Sequence, residues 1–396
     1  MTTEGGASLL AWLHELKPGQ VTADPMESPG VRNEDYHLRL KLKLAGLSDN
    51  VRPLAPPTTR AGSPAAVLHA GTAAEAGVKP DAKEKIDAAC RKWAEDSGEP
   101  FTVLVARNGV IVTHEAFGEA SEGVPLTLEF RNEVASITKA LTGMLFSRFV
   151  DQGLVAIDDP VGQYLPGFPT KGTRALTFRH LFTHTSGLQG HGNWGGIHNP
   201  YLDNVILNGL PALRPGEAHI YNGMGYDLAG KAMETITGKS VARLTYEDLF
   251  APLGLWDVPP VADLAFGARL TAYELGVLAQ WLANHGSYGD KQFISEETFR
   301  KLLPEPLSKY WPAIGVEWGI GIVPYAERRA GASPTSKDPA DLLLGEHVIG
   351  HGSATSCVLR VALDKDLVVV MVRRTAGERY DEHLREVLIA ITDSLL

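Results

Sequence analysis

The sequence predicts a mixed α+β fold: one antiparallel sheet flanked by N- and C-terminal helices, with an inserted, mostly helical lobe. Thr102–Ala106 and Val110–His114 are β-rich runs on either side of an Asn-Gly dipeptide, which is typical of a hairpin turn. Thr355–Val361 and Leu367–Arg373 form a second candidate hairpin near the other end of the chain. The stretch between the hairpins, from Leu126 to about Pro324, is dominated by helical periods and loops. Both ends of the chain are therefore expected to build one sheet.

Helices are expected beside both hairpins. Asp81–Asp96 has apolar residues on one helical face, and so does the C-terminal segment; these residues are Ile86, Ala89, Cys90 and Trp93, and then Leu384, Val387, Leu388 and Ile391. Residues 1–78 contain many prolines and are expected to be an extension that packs on the main domain or on a partner subunit. The predicted organisation is a sheet lobe from 79–125 and 326–396, a helical lobe from 126–325, and an active site between the lobes.

Composition and charge exclude several functions. The 396-residue chain has a net charge of −10 and no Lys/Arg-rich block, which argues against a nucleic-acid partner. Its longest strongly apolar run, Leu367–Val372, is too short to cross a bilayer, and its first residues lack the basic region of a signal peptide. Cys90 and Cys357 lie in apolar patterns and fit a reducing compartment. A cytoplasmic location is expected; the oligomeric state is left open, a homo-oligomer included.

One short motif could carry a nucleophile. Ser136 and Lys139 are three residues apart at the start of a predicted helix, whose apolar residues recur as Leu141, Met144, Leu145 and Phe149. A helix N-terminus favours a developing oxyanion, and a nearby lysine can accept the serine proton if burial lowers its pKa. Gly143 is expected to leave room beside this pair. Since Ser-x-x-Lys is short, a chance occurrence is the alternative.

Two later segments are rich in histidine. His180 and His184 lie four residues apart, a spacing compatible with a metal site, but no acidic or cysteine ligand follows at the usual spacing. Hydrogen bonding of the following turn by His184, Thr185 and Ser186 is the alternative. Gln189–Asn199, which includes Trp194, is expected to be a loop that borders a site.

Two other segments could line the same site. Tyr221 stands where a loop runs into a helix, where a phenol can act as an acid or base or can be purely structural. Val348–Ser356 contains glycines at Gly350 and Gly352, which indicate either a bulge or close approach by another group such as substrate. An exposed strand edge here would offer backbone N–H groups for an oxyanion hole.

Together these segments resemble the serine β-lactamase and penicillin-binding protein superfamily, in particular the class C β-lactamase-related hydrolases and family VIII esterases. The resemblance covers about residues 79–394 in the same order, and its most specific part is Arg179–Leu188 (Arg-His-Leu-Phe-Thr-His-Thr-Ser-Gly-Leu). The other matching segments are Ser136-x-x-Lys139, Ile157–Pro166, Pro215-Gly216 with Tyr221, Ala251–Leu255 and His351-Gly352-Ser353. The resemblance implies the β-lactamase-like fold.

The resemblance also implies roles for individual residues. Ser136 would form an acyl-enzyme, Lys139 would lower the pKa values of Ser136 and Tyr221 and shuttle protons, and Tyr221 or Lys139 would be the base. The backbone N–H groups of Ser136 and Ala354 would form the oxyanion hole. His351 would flank the site as a hydrogen-bond donor. The expected substrate-binding residues are His351, Gly352, Ser353, Asn222 and Trp194, with no metal and no cofactor.

Two departures from the family pattern bear on the substrate. The family has Tyr-Ser-Asn or Tyr-Ala-Asn where this chain has Tyr221-Asn222-Gly223, so the third-position amide is missing and Asn222 would point elsewhere. His351 replaces the β-lactamase lysine, which weakens carboxylate recognition. Both changes favour a carboxylesterase acting on small esters. The alternatives are a D-amino-acid peptidase or amidase, a weak β-lactamase, or a catalytically silent relative that binds acyl ligands.

Overall fold

The computed structural model describes residues 38, 39, 42, 46, 51–165, 167–188, 213–336 and 338–396. The strands of the main sheet are β1 (His69–Ala70), β2 (Phe101–Arg107), β3 (Val110–Phe117), β4 (Val323–Tyr325), β5 (Val348–His351), β6 (Val358–Ala362) and β7 (Leu367–Arg373). The helices are α1 (Ala73–Ala76), α2 (Ala82–Ser97), α3 (Thr138–Asp151), α4 (Phe178–Phe182), α5 (Met224–Thr237), α6 (Val241–Thr245), α7 (Ala272–Ala283), α8 (Glu296–Leu302) and α9 (Tyr380–Thr392).

The main sheet joins both ends of the chain, in the order β4-β5-β6-β7-β2-β3-β1. At its centre, β7 pairs antiparallel with β2, from Leu367 opposite Arg107 to Arg373 opposite Phe101. The β2–β3 turn has φ values of +55° at Asn108 and +81° at Gly109, as the Asn-Gly signal predicts. The mixed fold with a mostly antiparallel sheet is thus confirmed.

Two details of the predicted sheet are wrong. The sheet is not wholly antiparallel, because β1 pairs parallel with β3. The strand expected from Thr355 begins only at Val358, since the residues before it form a turn that is tied to the helical side of the cleft. The stretch between the hairpins also carries short strand pairs, which are Asn132–Glu133 with Arg269–Leu270, and Glu305–Pro306 with Glu317–Trp318.

The core lies on both faces of the sheet because side chains alternate along each strand. On β7, Val368, Val370 and Val372 face the larger apolar cluster, which includes residues of α3, α5 and α7. The residues between them, among them Val369 and Met371, face α2 and α9. The sheet thus separates the larger cluster, which includes residues of α3, from the packing of α2 and α9 on its other face.

Part of the N-terminal extension belongs to this core. Leu54 and Leu68 are buried in the larger cluster, and β1 adds a strand to the sheet. Arg148, which is fully buried on α3, donates hydrogen bonds to the carbonyls of Ala55 and Asp248. The segment from residue 51 onward therefore packs on the rest of the chain. Within the described residues, no helix is both long and apolar enough to cross a membrane.

Candidate active site

Ser136 lies in a tight turn directly before α3. Residues Ala135–Ile137 form this turn, here called the Ser136 turn, as one 3₁₀ turn. Ala135 has a φ of +46°, a left-handed conformation that costs a residue with a side chain roughly 1–2 kcal/mol. The hydrogen bond from Val134 N–H to the Ala268 carbonyl, at 2.9 Å, helps to hold it. Strain of this kind is concentrated at functional sites.

Lys139 is fully buried beside Ser136. Its Nζ donates to Ser136 Oγ at 3.3 Å and to the Ala265 carbonyl at 2.8 Å. Burial lowers the pKa of Lys139 to about 8, while the negative charges of Asp227 and Asp263 oppose that shift. The ammonium is still the main form at neutral pH, but it loses its proton much more easily than a surface lysine does.

Tyr221 is the third member of the group. The Lys139 Nζ lies over its ring, 4.8 Å from the centroid. The rings of His184 and Trp318 lie 4.2 Å and 6.0 Å from the Tyr221 ring. Tyr221 is 45 % exposed, so part of it is open to solvent. The structure thus brings Ser136, Lys139 and Tyr221 together.

The pKa of Tyr221 moves in the direction opposite to the expected one. Burial raises it, and hydrogen bonding with the Ser136 hydroxyl lowers it only part of the way back. The expectation that this pKa is lowered is wrong, because the desolvation of the phenolate on burial outweighs the favourable hydrogen bond. Tyr221 is therefore a neutral phenol at neutral pH, with a proton to donate.

His184 and Asn222 fix the loop that carries Tyr221. His184 has a φ of +58°, and its Nδ1 accepts a hydrogen bond from the Asn222 backbone N–H at 3.2 Å. The Asn222 side chain donates to the Ile220 carbonyl at 2.8 Å and accepts from the Gly225 N–H at 3.4 Å. Both ends of this amide thus bond nearby backbone. Substrate binding by Asn222, which would compete with these bonds, stays a prediction.

His180 has a separate structural role. Its Nδ1 accepts a hydrogen bond from the Thr177 N–H at 3.1 Å at the start of α4, and its ring lies 4.7 Å from the ring of Trp311. Since His180 and His184 bond different partners, the geometry favours turn formation over metal binding. Among the described residues, no group of three or more His, Cys, Asp or Glu side chains is placed to hold a metal ion. Trp194 and its loop lie outside the described residues.

The loop between β5 and β6 is fastened to the segment that leads into the Ser136 turn. Ser353 Oγ donates to the Val134 carbonyl at 2.9 Å, and Thr355 Oγ1 donates to the Glu133 carbonyl at 2.7 Å. Ala354 lies between these anchors and is exposed. This attachment would hold the Ala354 N–H at the cleft, but the oxyanion hole itself stays a prediction.

Gly350 and Gly352 differ in the space that surrounds them. A Cβ on Gly350 would lie 1.9 Å from the Leu359 carbonyl oxygen. Glycine is therefore required at this position by the neighbouring strand and not by an approaching substrate. A Cβ on Gly352 would meet only the Tyr325 hydroxyl, at 3.6 Å. Gly352 is also exposed, so the open space lies beside it.

His351 is neutral and presents an acceptor. Its Nδ1 lies 2.8 Å from the Gly352 carbonyl, and because a carbonyl can only accept, Nδ1 must carry the proton. Burial lowers the pKa of His351 to about 4. Its buried Nε2 has no hydrogen-bond partner among the described residues and keeps a lone pair. His351 lies beside the site as expected, with its ring 6.3 Å from the Tyr221 ring, but the expectation of a partly charged donor is wrong.

Several residues of this site were not predicted from the sequence. Trp318 and Tyr226 pack against His184 with ring centroids 5.0 Å and 5.4 Å away. Asp227 and Asp263 act on the charge of Lys139, as described above. Asp227 was detectable, because it is a carboxylate within an otherwise apolar run of α5; nothing in the sequence around Asp263 marks it.

A comparison with protein families agrees with this geometry. Residues 101–392 match the family model described as Beta-lactamase. The chain belongs to the Beta-lactamase family. The expected membership of the serine β-lactamase and penicillin-binding protein superfamily is thereby confirmed, on a match that includes Ser136, Lys139, Tyr221 and His351.

Individual relatives place the chain within this family. It is 29 % identical to Penicillin-binding protein 4* of Bacillus subtilis over 220 residues, which are 52 % of this chain and 45 % of that protein. The chain spans about half the length, or less, of the first curated relatives it matches.

Solved structures show the same fold. A penicillin-binding protein homologue from Caulobacter crescentus aligns with a TM-score of 0.63 and 19 % identity, over 81 % of this chain and 99 % of that one. A family VIII carboxylesterase aligns with a TM-score of 0.62 and 16 % identity, over 78 % of this chain and 97 % of that one. At these identities the similarity establishes the fold of the family alone.

Proposed function

We propose that this chain is a serine hydrolase that forms an acyl-enzyme on Ser136 and acts as a carboxylesterase on small esters. The observation that carries the proposal is the 3.3 Å hydrogen bond between Ser136 Oγ and the buried Lys139 Nζ, whose pKa is lowered to about 8. A base with a pKa near the working pH combines the correct protonation state with a useful proton affinity. Lys139 meets this requirement.

The opposite pKa shifts suggest how protons move. Neutral Lys139 takes the Ser136 proton as Oγ bonds to the ester carbonyl carbon, and the carbonyl oxygen becomes an oxyanion. Tyr221 then gives its proton to the leaving alkoxide as the C–O bond breaks, and takes one back from Lys139. In the second half of the reaction, water takes the place of the alcohol and attacks the acyl carbon while Tyr221 passes its proton to Lys139 and takes one from the water. Lys139 then returns a proton to Ser136 Oγ as the bond to the acyl group breaks and the carboxylic acid leaves. The N–H groups of Ser136 and Ala354 would stabilise the oxyanion; loss of one such donor typically costs ~10²–10³ in rate.

Ester specificity is supported by what the cleft offers to a substrate. His351 is neutral, so it gives no permanent positive charge for the carboxylate of a penicillin or a peptide. Position 223 is a glycine, and the Asn222 amide already bonds the backbone of its own loop. The solved family VIII carboxylesterase of the same fold is consistent with this preference.

Modification by a fluorophosphonate tests the proposal. Intact mass is expected to show one adduct, lost in Ser136→Ala, and p-nitrophenyl butyrate is expected to give a burst of nitrophenol. Ser136→Ala should lose on the order of 10³-fold or more in kcat/KM. The matched control is Ser97→Ala, which removes a hydroxyl that bonds the Trp93 carbonyl at the end of α2. An unmodified wild-type protein, or an active Ser136→Ala variant, would refute the proposal.

A second candidate is a D-amino-acid peptidase, amidase or weak β-lactamase. The similarity to Penicillin-binding protein 4* of Bacillus subtilis favours it. A panel of p-nitrophenyl esters, D-aminoacyl amides and nitrocefin distinguishes the two candidates. Faster turnover of the amides or of nitrocefin than of the esters would replace the esterase assignment with this one.

A further inference from the structure

The backbone on both sides of Tyr221 is held by a single residue, His184. The Ile220 N–H donates to the His184 carbonyl at 2.8 Å, and the Asn222 N–H donates to His184 Nδ1 at 3.2 Å. The two bonds hold the residues directly before and directly after the tyrosine. The position of the chain from which the phenol extends therefore depends on His184.

The bond to Asn222 also defines the protonation of the His184 ring. An imidazolium has no acceptor, so a ring that accepts at Nδ1 is neutral and carries its proton on Nε2. The surroundings favour the same state, because burial lowers the pKa of His184 well below its ordinary value and the positive charge of Lys139 adds to that shift. Nδ1 thus stays available as an acceptor.

Aromatic side chains surround the same ring. It lies 4.2 Å from the Tyr221 ring, and it meets the rings of Trp318 and His219 edge to face, at 5.0 Å and 5.8 Å with interplanar angles of 87° and 85°. His184 is only 1 % exposed, and its Nε2 has no hydrogen-bond partner among the described residues. The hydrogen bond that this buried imidazole makes there goes to the loop of Tyr221.

The backbone of His184 is itself well supported. Its φ of +58° is a left-handed conformation, which asparagine and histidine tolerate better than most other residues with a side chain. It follows α4, and α4 is joined to the helix after Tyr221 by the Tyr226 hydroxyl of α5, which donates to the Phe182 carbonyl at 2.8 Å. Both ends of the Tyr221 loop are therefore tied to the same short helix.

We propose that His184 is a positioning residue for Tyr221: its neutral Nδ1 and its carbonyl hold the phenol where it can give a proton to the leaving alkoxide. His184 acts through Tyr221, because its hydrogen bonds go to backbone N–H groups and, among the described residues, to neither Ser136 nor Lys139. The inference rests on the proposed role of Tyr221 as the acid in ester hydrolysis.

A displaced acid affects some esters more than others. Ethoxide needs a proton as it leaves, whereas p-nitrophenoxide is stable enough to leave without one. Loss of the Nδ1 acceptor should therefore slow the hydrolysis of ethyl butyrate strongly and that of p-nitrophenyl butyrate weakly. A general folding defect would slow both in proportion, because it only lowers the number of active molecules.

The experiment compares kcat/KM for the butyrate esters of p-nitrophenol, phenol, trifluoroethanol and ethanol, whose leaving groups become more basic in that order. His184→Phe keeps a ring but has no acceptor. It is expected to lose ~10–100-fold on ethyl butyrate and less than about 3-fold on p-nitrophenyl butyrate. His184→Asn loses the ring, but its Oδ1 can accept where Nδ1 did, so it should keep the wild-type dependence on the leaving group.

The matched control is His180→Phe, at the other end of α4. His180 Nδ1 also accepts from a backbone N–H, that of Thr177 at 3.1 Å, and none of its hydrogen bonds or ring contacts among the described residues involves Tyr221. This control should lower the melting temperature and leave the ratio between the four esters unchanged. If His184→Phe does not fold, His184→Gln repeats the test, because its polar atoms lie further from the backbone than Nδ1.

Hydrogen–deuterium exchange of the peptide that contains residues 220–222 tests the His184–Asn222 bond without turnover. The Asn222 amide should exchange faster in His184→Phe than in the wild-type protein or in His184→Asn. The Ile220 amide should stay protected in every variant, because its acceptor is a backbone carbonyl.

Three results would overturn the proposal. They are an equal loss on all four esters in His184→Phe, a loss confined to the basic leaving groups in His184→Asn as well, and an Asn222 amide that exchanges at the same rate in His184→Phe and the wild-type protein. A wild-type protein that hydrolyses none of the esters would instead refute the proposed function, while the exchange measurement would still test the bond to His184.

Discussion

At the level of single residues, burial moves two pKa values of the site in opposite directions. It lowers the pKa of Lys139 towards 8 and raises that of Tyr221. Burial disfavours the charged form of each group, which is the protonated form of an amine and the deprotonated form of a phenol. Under the proposed mechanism, one environment would thus supply a base and an acid for opposite steps of an acyl transfer.

Gly223→Asn tests whether the missing amide limits the substrate range. Gly223 has a φ of −86° and a ψ of −21°, a helical conformation that asparagine also adopts. We expect nitrocefin or D-aminoacyl amide turnover to rise relative to ester turnover, because an amide near Tyr221 can hold the substrate amide. Parallel kinetics with both substrate types give the ratio.

The control for this change is Gly223→Ala, which adds a side chain without an amide. A rise in amide turnover in both variants would show that the amide group is not its cause. No rise in either variant, at an unchanged melting temperature, would likewise contradict the idea that the missing amide at position 223 limits the substrate range.

Residue chemistry was only partly predictable from sequence. Ser136, Lys139 and Tyr221 could be proposed because hydroxyl, amine and phenol appear within recognisable motifs. The protonation of His351 could not, because it depends on burial and on the Gly352 carbonyl beside Nδ1. The involvement of Asp263 depends in the same way on a loop conformation that no local pattern specifies.

At the level of elements, α3 is positioned by direct contact between backbones. A Cβ on Gly143 would lie 2.1 Å from the Ile320 carbonyl oxygen, and a Cβ on Gly321 would lie 2.2 Å from the Lys139 carbonyl oxygen. The expectation that Gly143 leaves room beside the Ser136–Lys139 pair is therefore wrong, because the Ile320–Gly321 backbone fills that space. Such contacts fix the helix that carries Lys139.

Gly143→Ala should disturb both stability and activity. The added methyl group meets backbone that cannot rotate away, so overpacking is expected to cost about 1–3 kcal/mol and to lower the melting temperature. Since Lys139 lies one turn away on α3, kcat should fall as well. Gly315→Ala is the control, because a Cβ there has nothing within 4 Å. Equal melting temperatures for the two variants would contradict this account of α3.

Elements were predictable where the local signals are strong. The predicted helix over Asp81–Asp96 is α2 (Ala82–Ser97), and the strand Leu367–Arg373 was predicted with the bounds of β7. The short strands β1 and β4 were not predicted, because two or three residues carry no usable period. They form because a neighbouring strand edge supplies their partners.

At the level of the whole molecule, the segment that precedes the family match is part of the fold. Leu54 and Leu68 join the core of the helical side, and the Ala55 carbonyl accepts a hydrogen bond from the buried Arg148. A buried guanidinium that loses an acceptor incurs a desolvation cost. The family match begins at residue 101, yet the packing begins further upstream.

Deletion of residues 1–70 is expected to lower the melting temperature, because it removes β1, two core leucines and an acceptor of Arg148. The point variant Leu68→Ala should cost about 2–5 kcal/mol in the free energy of unfolding, the usual range for a buried leucine. Its control is Val67→Ala, at a neighbouring side chain that is 39 % exposed. Unchanged unfolding of the truncated chain would show that this packing contributes nothing to stability.

The sequence by itself determined the helices with a clear apolar face, the Asn-Gly hairpin, and the motifs of the family to which the chain belongs. These features depend on neighbours within a few residues, and local periodicity and turn chemistry record such neighbours. Only the tertiary structure decided the charge of His351, the contact that requires Gly143, and the placement of two carboxylates around Lys139. Those properties depend on residues distant in the chain, whose approach sets the burial and the electric field at each group.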